Sequence, residues 1–232
     1  MSHGGAEVGP IGQGTQGNSI MMRLREATAQ LHDDAEHAEF QKHLSAGTLP
    51  LSTFVLSITQ LYWLHRTLDG LLRAHAATES EIGAVIDADF YMEEQLARDL
   101  RHFGLDAGST EQTAVTREFC AKMRESAEKC RLSLLGFAYV FAGSMNGNRF
   151  LARVVKQAYR LNDGAGAEYF DPYGERQRAV WEGFKARMNA LTLSSEDANA
   201  IVEAGKSCFQ GVIAMYADVY RSSRQAQAKA SV

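Results

Sequence analysis

Most of the chain alternates apolar and polar positions with a helical period. Met21, Leu24, Ala27, Leu31 and Ala35 form one stripe, and Ser19 stands before it as an N-cap. A first helix is therefore predicted from about residue 20 into the region of His32, with a shorter helix through Lys42 that ends near Gly47. Pro50 and Ser52 open the next helix, whose apolar face is Phe54, Ile58, Leu61, Leu64 and Leu68. A helix over 79–103 stops at Gly104, and another covers 110–130. The stretch 109–161 is too long for one straight helix, so a break is placed near Leu132. Residues 162–174 read as a loop, and helices follow at 175–192 and 195–222. No stretch alternates like a strand, and the predicted fold class is all-α. Residues 1–19 read as a disordered tail, 20–222 as one helical domain and 223–232 as a frayed end.

The segment Tyr139–Leu151, YVFAGSMNGNRFL, breaks the usual rules of a helix. It carries Gly143 and Gly147 one turn apart, and two interior glycines cost a helix roughly 2 kcal/mol relative to alanine. Two readings account for them. One is close packing or a kink. The other is that the backbone itself approaches a ligand, which only a glycine permits. The first helix carries His32 and His37. A helix with an imidazole facing a helix with bare backbone makes a slot for a flat ligand.

Composition changes this picture little. The 232 residues are 45% hydrophobic and 22% charged, as in an ordinary globular protein. The net charge of −4 argues against nucleic acid as a partner. Cys120, Cys130 and Cys208 form no CxxC pair, so neither a disulfide framework nor a zinc site is expected, and buried thiols in a reducing cytoplasm are. No apolar run reaches the roughly 18 residues that span a bilayer. Residues 1–19 have no apolar core of a secretory signal.

The motifs also carry a resemblance. LREATAQLHDDAEHAEF, residues 24–40, resembles the proximal helix of the biliverdin-producing heme oxygenases. YVFAGSMNGNRFLAR, residues 139–153, resembles the distal helix of the bacterial branch of that family. FDPYGERQRAVWEGFKARMNAL, residues 170–191, and EAGKSCFQGVIAMY, residues 203–216, resemble its later helices in the right order. The resemblance implies a single-domain helical bundle with heme between the proximal and distal helices. It implies an enzyme that cleaves heme to biliverdin, carbon monoxide and ferrous iron with O2. Electrons would come from a separate reductase or ferredoxin, since the chain has no GxGxxG of its own.

Residue by residue, His32 matches the family's axial iron ligand, and Glu36, one turn later, either fixes the tautomer of its ring, directly or through water, or is a solvated helix carboxylate. His37 lies about 140° around the helix from His32 and is read as structural. Arg25, Tyr139 and Lys185 match positions that hold the heme propionates, with Arg153 and Lys156 as looser candidates. Phe209 matches an aromatic at the heme edge. Gly143, Ser144, Gly147 and Asn148 form the distal set. Ser144 stands where mammalian members carry an aspartate, and Asn148 departs from the small residue usual there. That departure keeps a second reading open, a non-catalytic heme carrier or sensor on the same fold. A di-metal carboxylate oxidase would want two Glu-x-x-His pairs on facing helices, which the sequence lacks.

Overall fold

The computed structural model describes residues 19–147, 149–162 and 165–230. Asn148, the expected disordered tail 1–18 and the last two residues lie outside them. Among the described residues all regular structure is helical, and ten α-helices follow one another. These are α1 (Ile20–Glu36), α2 (Glu39–Ser45), α3 (Leu51–Ala76), α4 (Ser80–Val85) and α5 (Glu93–His102), then α6 (Ala114–Lys129), α7 (Leu134–Gly147), α8 (Arg149–Ala158), α9 (Gln177–Asn189) and α10 (Ser195–Ala230).

The predicted caps form. The Ser19 hydroxyl accepts from the amide of Met22 at 3.3 Å and starts α1. Gly104, at φ +76°, adopts the left-handed turn that stops the chain after α5. The break near Leu132 is also present, as a short 3-10 turn between α6 and α7.

Three boundaries differ from the expectation. The stretch 79–103 is not one helix. The backbone extends at Ile86, Asp87 caps a 3-10 turn over Ala88–Phe90, and α5 restarts at Glu93. The restart is fixed from outside, because the Asp69 carboxylate of α3 accepts the amides of Met92 (2.9 Å) and Glu93 (3.0 Å). A cap contributed 23 residues away leaves no local signal. The loop 162–174 contains a further 3-10 turn, Glu168–Phe170. Finally, α10 continues to Ala230, past the expected end at 222, because Gln225 to Ala230 are good helix formers with no glycine or proline among them.

The long α10 packs against α1 and α7, while α3 packs against α5 and α6. The crossing of α7 on α10 depends on a glycine in the first turn of α7 and one in the body of α10. A Cβ at Gly136 would run into the carbonyl oxygen of Ile201 and lie 2.8 Å from the amide nitrogen of Gly205. A Cβ at Gly205 would lie 2.9 Å from Leu24 Cδ2 of α1. The backbones therefore approach to contact there, and all three helices bury the seam: Leu24, Phe137, Ile201 and Cys208 are fully buried.

Candidate functional site

The slot predicted between α1 and α7 exists. A cavity of about 580 Å³ is bounded by His32 and Glu36 on one side and by Gly143, Ser144 and Gly147 on the other. Its volume falls within the roughly 300–1,000 Å³ of small-molecule and cofactor sites. Tyr139 and Phe209 also line it.

His32 is held at the cavity edge by α1. Its ring makes an edge contact with Phe209 of α10, with centroids 5.8 Å apart. Glu36 Oε1 lies 3.8 Å from Nδ1. That is too long for a direct hydrogen bond and suits a bridging water. Nε2 is thereby left for a ligand. Both side chains are more than half exposed, as groups on an open slot are. His37 is the C-cap of α1, its Nδ1 lies 2.8 Å from the Asp33 carbonyl, and it does not line the cavity.

The two glycines of the opposite wall differ. A Cβ at Gly143 would make ordinary contact with Trp181 at 3.6 Å. A Cβ at Gly147 would meet nothing within 4 Å. Neither position is kept bare by protein packing; that role in α7 belongs to Gly136. Ser144 donates its hydroxyl proton to the Phe141 carbonyl at 2.8 Å, one turn back. Toward the cavity it therefore presents lone pairs.

Tyr139 is largely buried. Burial pushes its hydroxyl pKa up, against the Thr28 hydroxyl and the Arg25 charge. It remains a protonated donor at the cavity wall. Arg25 itself is exposed and does not line the cavity. Nor does Lys185, which is paired to Glu182 at 2.9 Å and lies over the ring of Trp181 at 5.7 Å. To meet a ligand carboxylate, Lys185 has to leave Glu182. Of the two looser cations, Arg153 and Lys156, neither lines the cavity.

Several lining residues have no role assigned to them from the sequence. Trp181 stacks on Phe184 and forms the wall beside Gly143. Phe150, the most exposed large apolar side chain described, stands at the rim. Tyr169 and Phe170 come from the 3-10 turn inside the predicted loop. That turn is tied down by the buried Asp99 of α5, which accepts the amides of Glu168 (2.8 Å) and Tyr169 (3.0 Å).

Burial pushes the Asp99 carboxyl from 3.8 up to about 6, against the pull of those two amides. A raised carboxyl makes its stabilising contribution below its unfolded value and loses it as pH rises through the folded one. In a comparison with Asp99→Asn, wild-type stability is therefore expected to fall between about pH 4 and pH 6, by on the order of 3 kcal/mol. Urea unfolding across that range checks this, and a difference that is flat with pH rules it out.

Among the described residues no group of three or more His, Cys, Asp or Glu is placed to share a metal ion, and no helix is long and apolar enough to cross a membrane. The fold and slot define a class: an all-helical protein with an open slot between an imidazole on one helix and bare backbone on another. The heme oxygenase family model matches residues 18–218, and the chain belongs to that family.

Its relatives are distant. It is 23% identical to heme oxygenase 1 of Gallus gallus over 194 residues, 80% of this chain and 64% of that protein. Heme oxygenase 2 of a Synechocystis species is 25% identical over 201 residues, 82% of this chain and 79% of that one. The chain thus spans less than two thirds of the Gallus protein. Among solved structures, Synechocystis heme oxygenase-2 in complex with heme and NO aligns with a TM-score of 0.83 at 23% identity, covering 90% of this chain and 88% of that one. Heme oxygenase from Leptospira interrogans aligns at 0.80 and 19%, covering 87% and 100%. These alignments establish the heme oxygenase fold.

Proposed function

We propose that the protein is a heme oxygenase, which uses O2 and electrons from a separate donor to open heme to biliverdin, carbon monoxide and ferrous iron. The observation that carries this is the open space over Gly147, facing an imidazole across a cavity of about 580 Å³. A helix that accepts glycine where no protein atom needs it leaves room for a ligand. The donors present fit heme: one histidine for iron, and Tyr139 with Arg25 for carboxylates.

In this reading His32 holds the iron through Nε2, and Glu36 fixes the Nδ1–H tautomer through water. Tyr139 donates to a propionate, and Arg25 supplies the charge. Gly143 and Gly147 let α7 lie against the macrocycle. Ser144, whose proton is committed to the Phe141 carbonyl, orders water as an acceptor. Bound heme supplies the oxygen chemistry, and the protein supplies position and protons.

The test is a spectroscopic titration with hemin, followed by reductant in air. Stoichiometric binding with release of biliverdin is expected. Binding with recovery of intact heme would replace the enzyme by a heme carrier. Gly147→Leu should lose turnover by about 10²-fold, the scale of misplacing reactants by an ångström. Its circular dichroism and thermal midpoint should match the wild type, since a Cβ added there meets nothing within 4 Å. Wild-type turnover in this variant would return the glycine to a packing role.

A further inference from the structure

The cavity has a second polar wall, reached through Tyr169. The Tyr169 hydroxyl is 3.0 Å from Nε2 of His65 in α3. His65 is fully buried and packs its ring on Phe141 at 4.6 Å. Ser144, one turn beyond Phe141, lies beside the Tyr169 hydroxyl. Behind the imidazole, one turn along α3, is Asp69, also fully buried. Its Oδ2 takes the two amides that start α5. Its Oδ1 and the His65 Nδ1 are both buried without a hydrogen-bond partner among the described residues, and they face each other at 3.9 Å. An unsatisfied buried polar atom costs about 1–3 kcal/mol. Two that face each other imply one hydrogen between them, reached by a small rotation or through a water.

We propose that Asp69, His65 and Tyr169 form a proton relay into the cavity, in which Asp69 holds His65 as the Nδ1–H tautomer. The logic is that of donors and acceptors. Asp69 takes two amide protons on Oδ2, and as the carboxylate its Oδ1 is an acceptor only and calls for a proton on Nδ1. Nε2 of the neutral ring then accepts the Tyr169 hydroxyl proton, and the phenol oxygen offers lone pairs to the cavity. When a cavity group gives its proton to the Tyr169 oxygen, the phenol's own proton passes to Nε2. His65 becomes a cation opposite Asp69. In reverse, Nε2–H returns a proton to Tyr169, which releases its own into the cavity. One proton enters and one leaves Tyr169 in either direction. Charging His65 therefore switches Tyr169 from acceptor to donor.

The surroundings favour this use. Tyr216, Tyr173 and Cys208 also lie near the Tyr169 hydroxyl, and burial holds all three in their neutral forms. Asp99 fixes the turn that carries Tyr169. Burial likewise keeps Tyr169 from ionising, so it can pass protons only by exchanging them. The use of the proton rests on the heme oxygenase reading, in which oxygen cleavage consumes protons at a site that Ser144 is too weak an acid to serve. The tautomer does not rest on it.

The test is therefore made first on the protein without heme. Nitrogen-15 NMR of the His65 ring should show a protonated Nδ1 and an unprotonated Nε2. Asp69→Asn, which turns an amide N–H toward Nδ1, should swap the two. Tyr169→Phe should leave the wild-type tautomer, because Asp69 sets it. A wild-type ring protonated on Nε2 alone overturns the relay, as does a swap caused by Tyr169→Phe. If Asp69→Asn fails to fold for want of the α5 cap, the other two spectra decide. In heme-loaded protein, Tyr169→Phe should lower turnover about 10²-fold, the usual loss of a positioned acid or base, with heme affinity unchanged. Unchanged turnover in a working enzyme also overturns the relay. A wild type that binds heme and never consumes it counts against the function, while the tautomer still decides the dyad.

Discussion

His32→Ala is expected to weaken heme binding by more than the roughly 10–100-fold that follows loss of a mere supporting partner of a metal ligand. The absorption spectrum of the ferric complex should change with it. The helical content should not, because the His32 side chain is 60% exposed and its one aromatic contact is an edge on Phe209. The sharper control is His37→Ala. His37 sits five residues on, bonded to its own helix end, and its loss should leave heme affinity and spectrum as they are. If His37→Ala abolishes the spectrum while His32→Ala spares it, the assignment of the axial ligand is wrong.

The second large effect is on folding. Gly136→Ala should destabilise the protein by about 3 kcal/mol or more, although alanine is the better helix former by about 1 kcal/mol. The new methyl meets the backbone of Ile201 and Gly205, which cannot rotate away as a side chain can. Relief requires α7 and α10 to move apart, and that opens a seam lined by fully buried Leu24, Phe137 and Cys208. For a chain of this size the thermal midpoint should drop by roughly 6–12 °C. Gly147→Ala is the matched control in the same helix: with nothing within 4 Å of its Cβ, it should cost no stability. Equal midpoints for the two variants would mean that the crossing is looser than the structure has it.

What the sequence makes legible is whatever repeats along a helix. The apolar stripes give α1 and α3, and Ser19 and Gly104 mark ends that the structure reproduces. The pairing of the His32 helix with the Gly143–Gly147 helix is legible as well, since both motifs have fixed spacing. What is illegible depends on contacts between distant residues. The restart of α5 needs Asp69, and the turn carrying Tyr169 needs Asp99. The packing glycine, Gly136, has no signature that separates it from Gly143 in the sequence; only the approach of α10 does. Arg25 and Lys185 show the same limit from the other side. The resemblance implies propionate-binding roles for both, yet whether a long cation reaches the cavity is set by its neighbours, and Lys185 is paired to Glu182.

The seam at Gly136 also bears on how a ligand gets in. α7 is pinned to α10 by bare backbone near its start, at Gly136, while in its last turn Met145 stays buried and Gly147 borders open space. The amides around Gly136 should exchange hydrogen only through global unfolding, and those beside Gly147 through local opening at far lower free energy. On the heme reading, entry of the flat ligand would be easiest past the exposed last turn of α7, with the joint to α10 left shut. Ligand exchange would then follow local opening of that turn rather than the stability of the core.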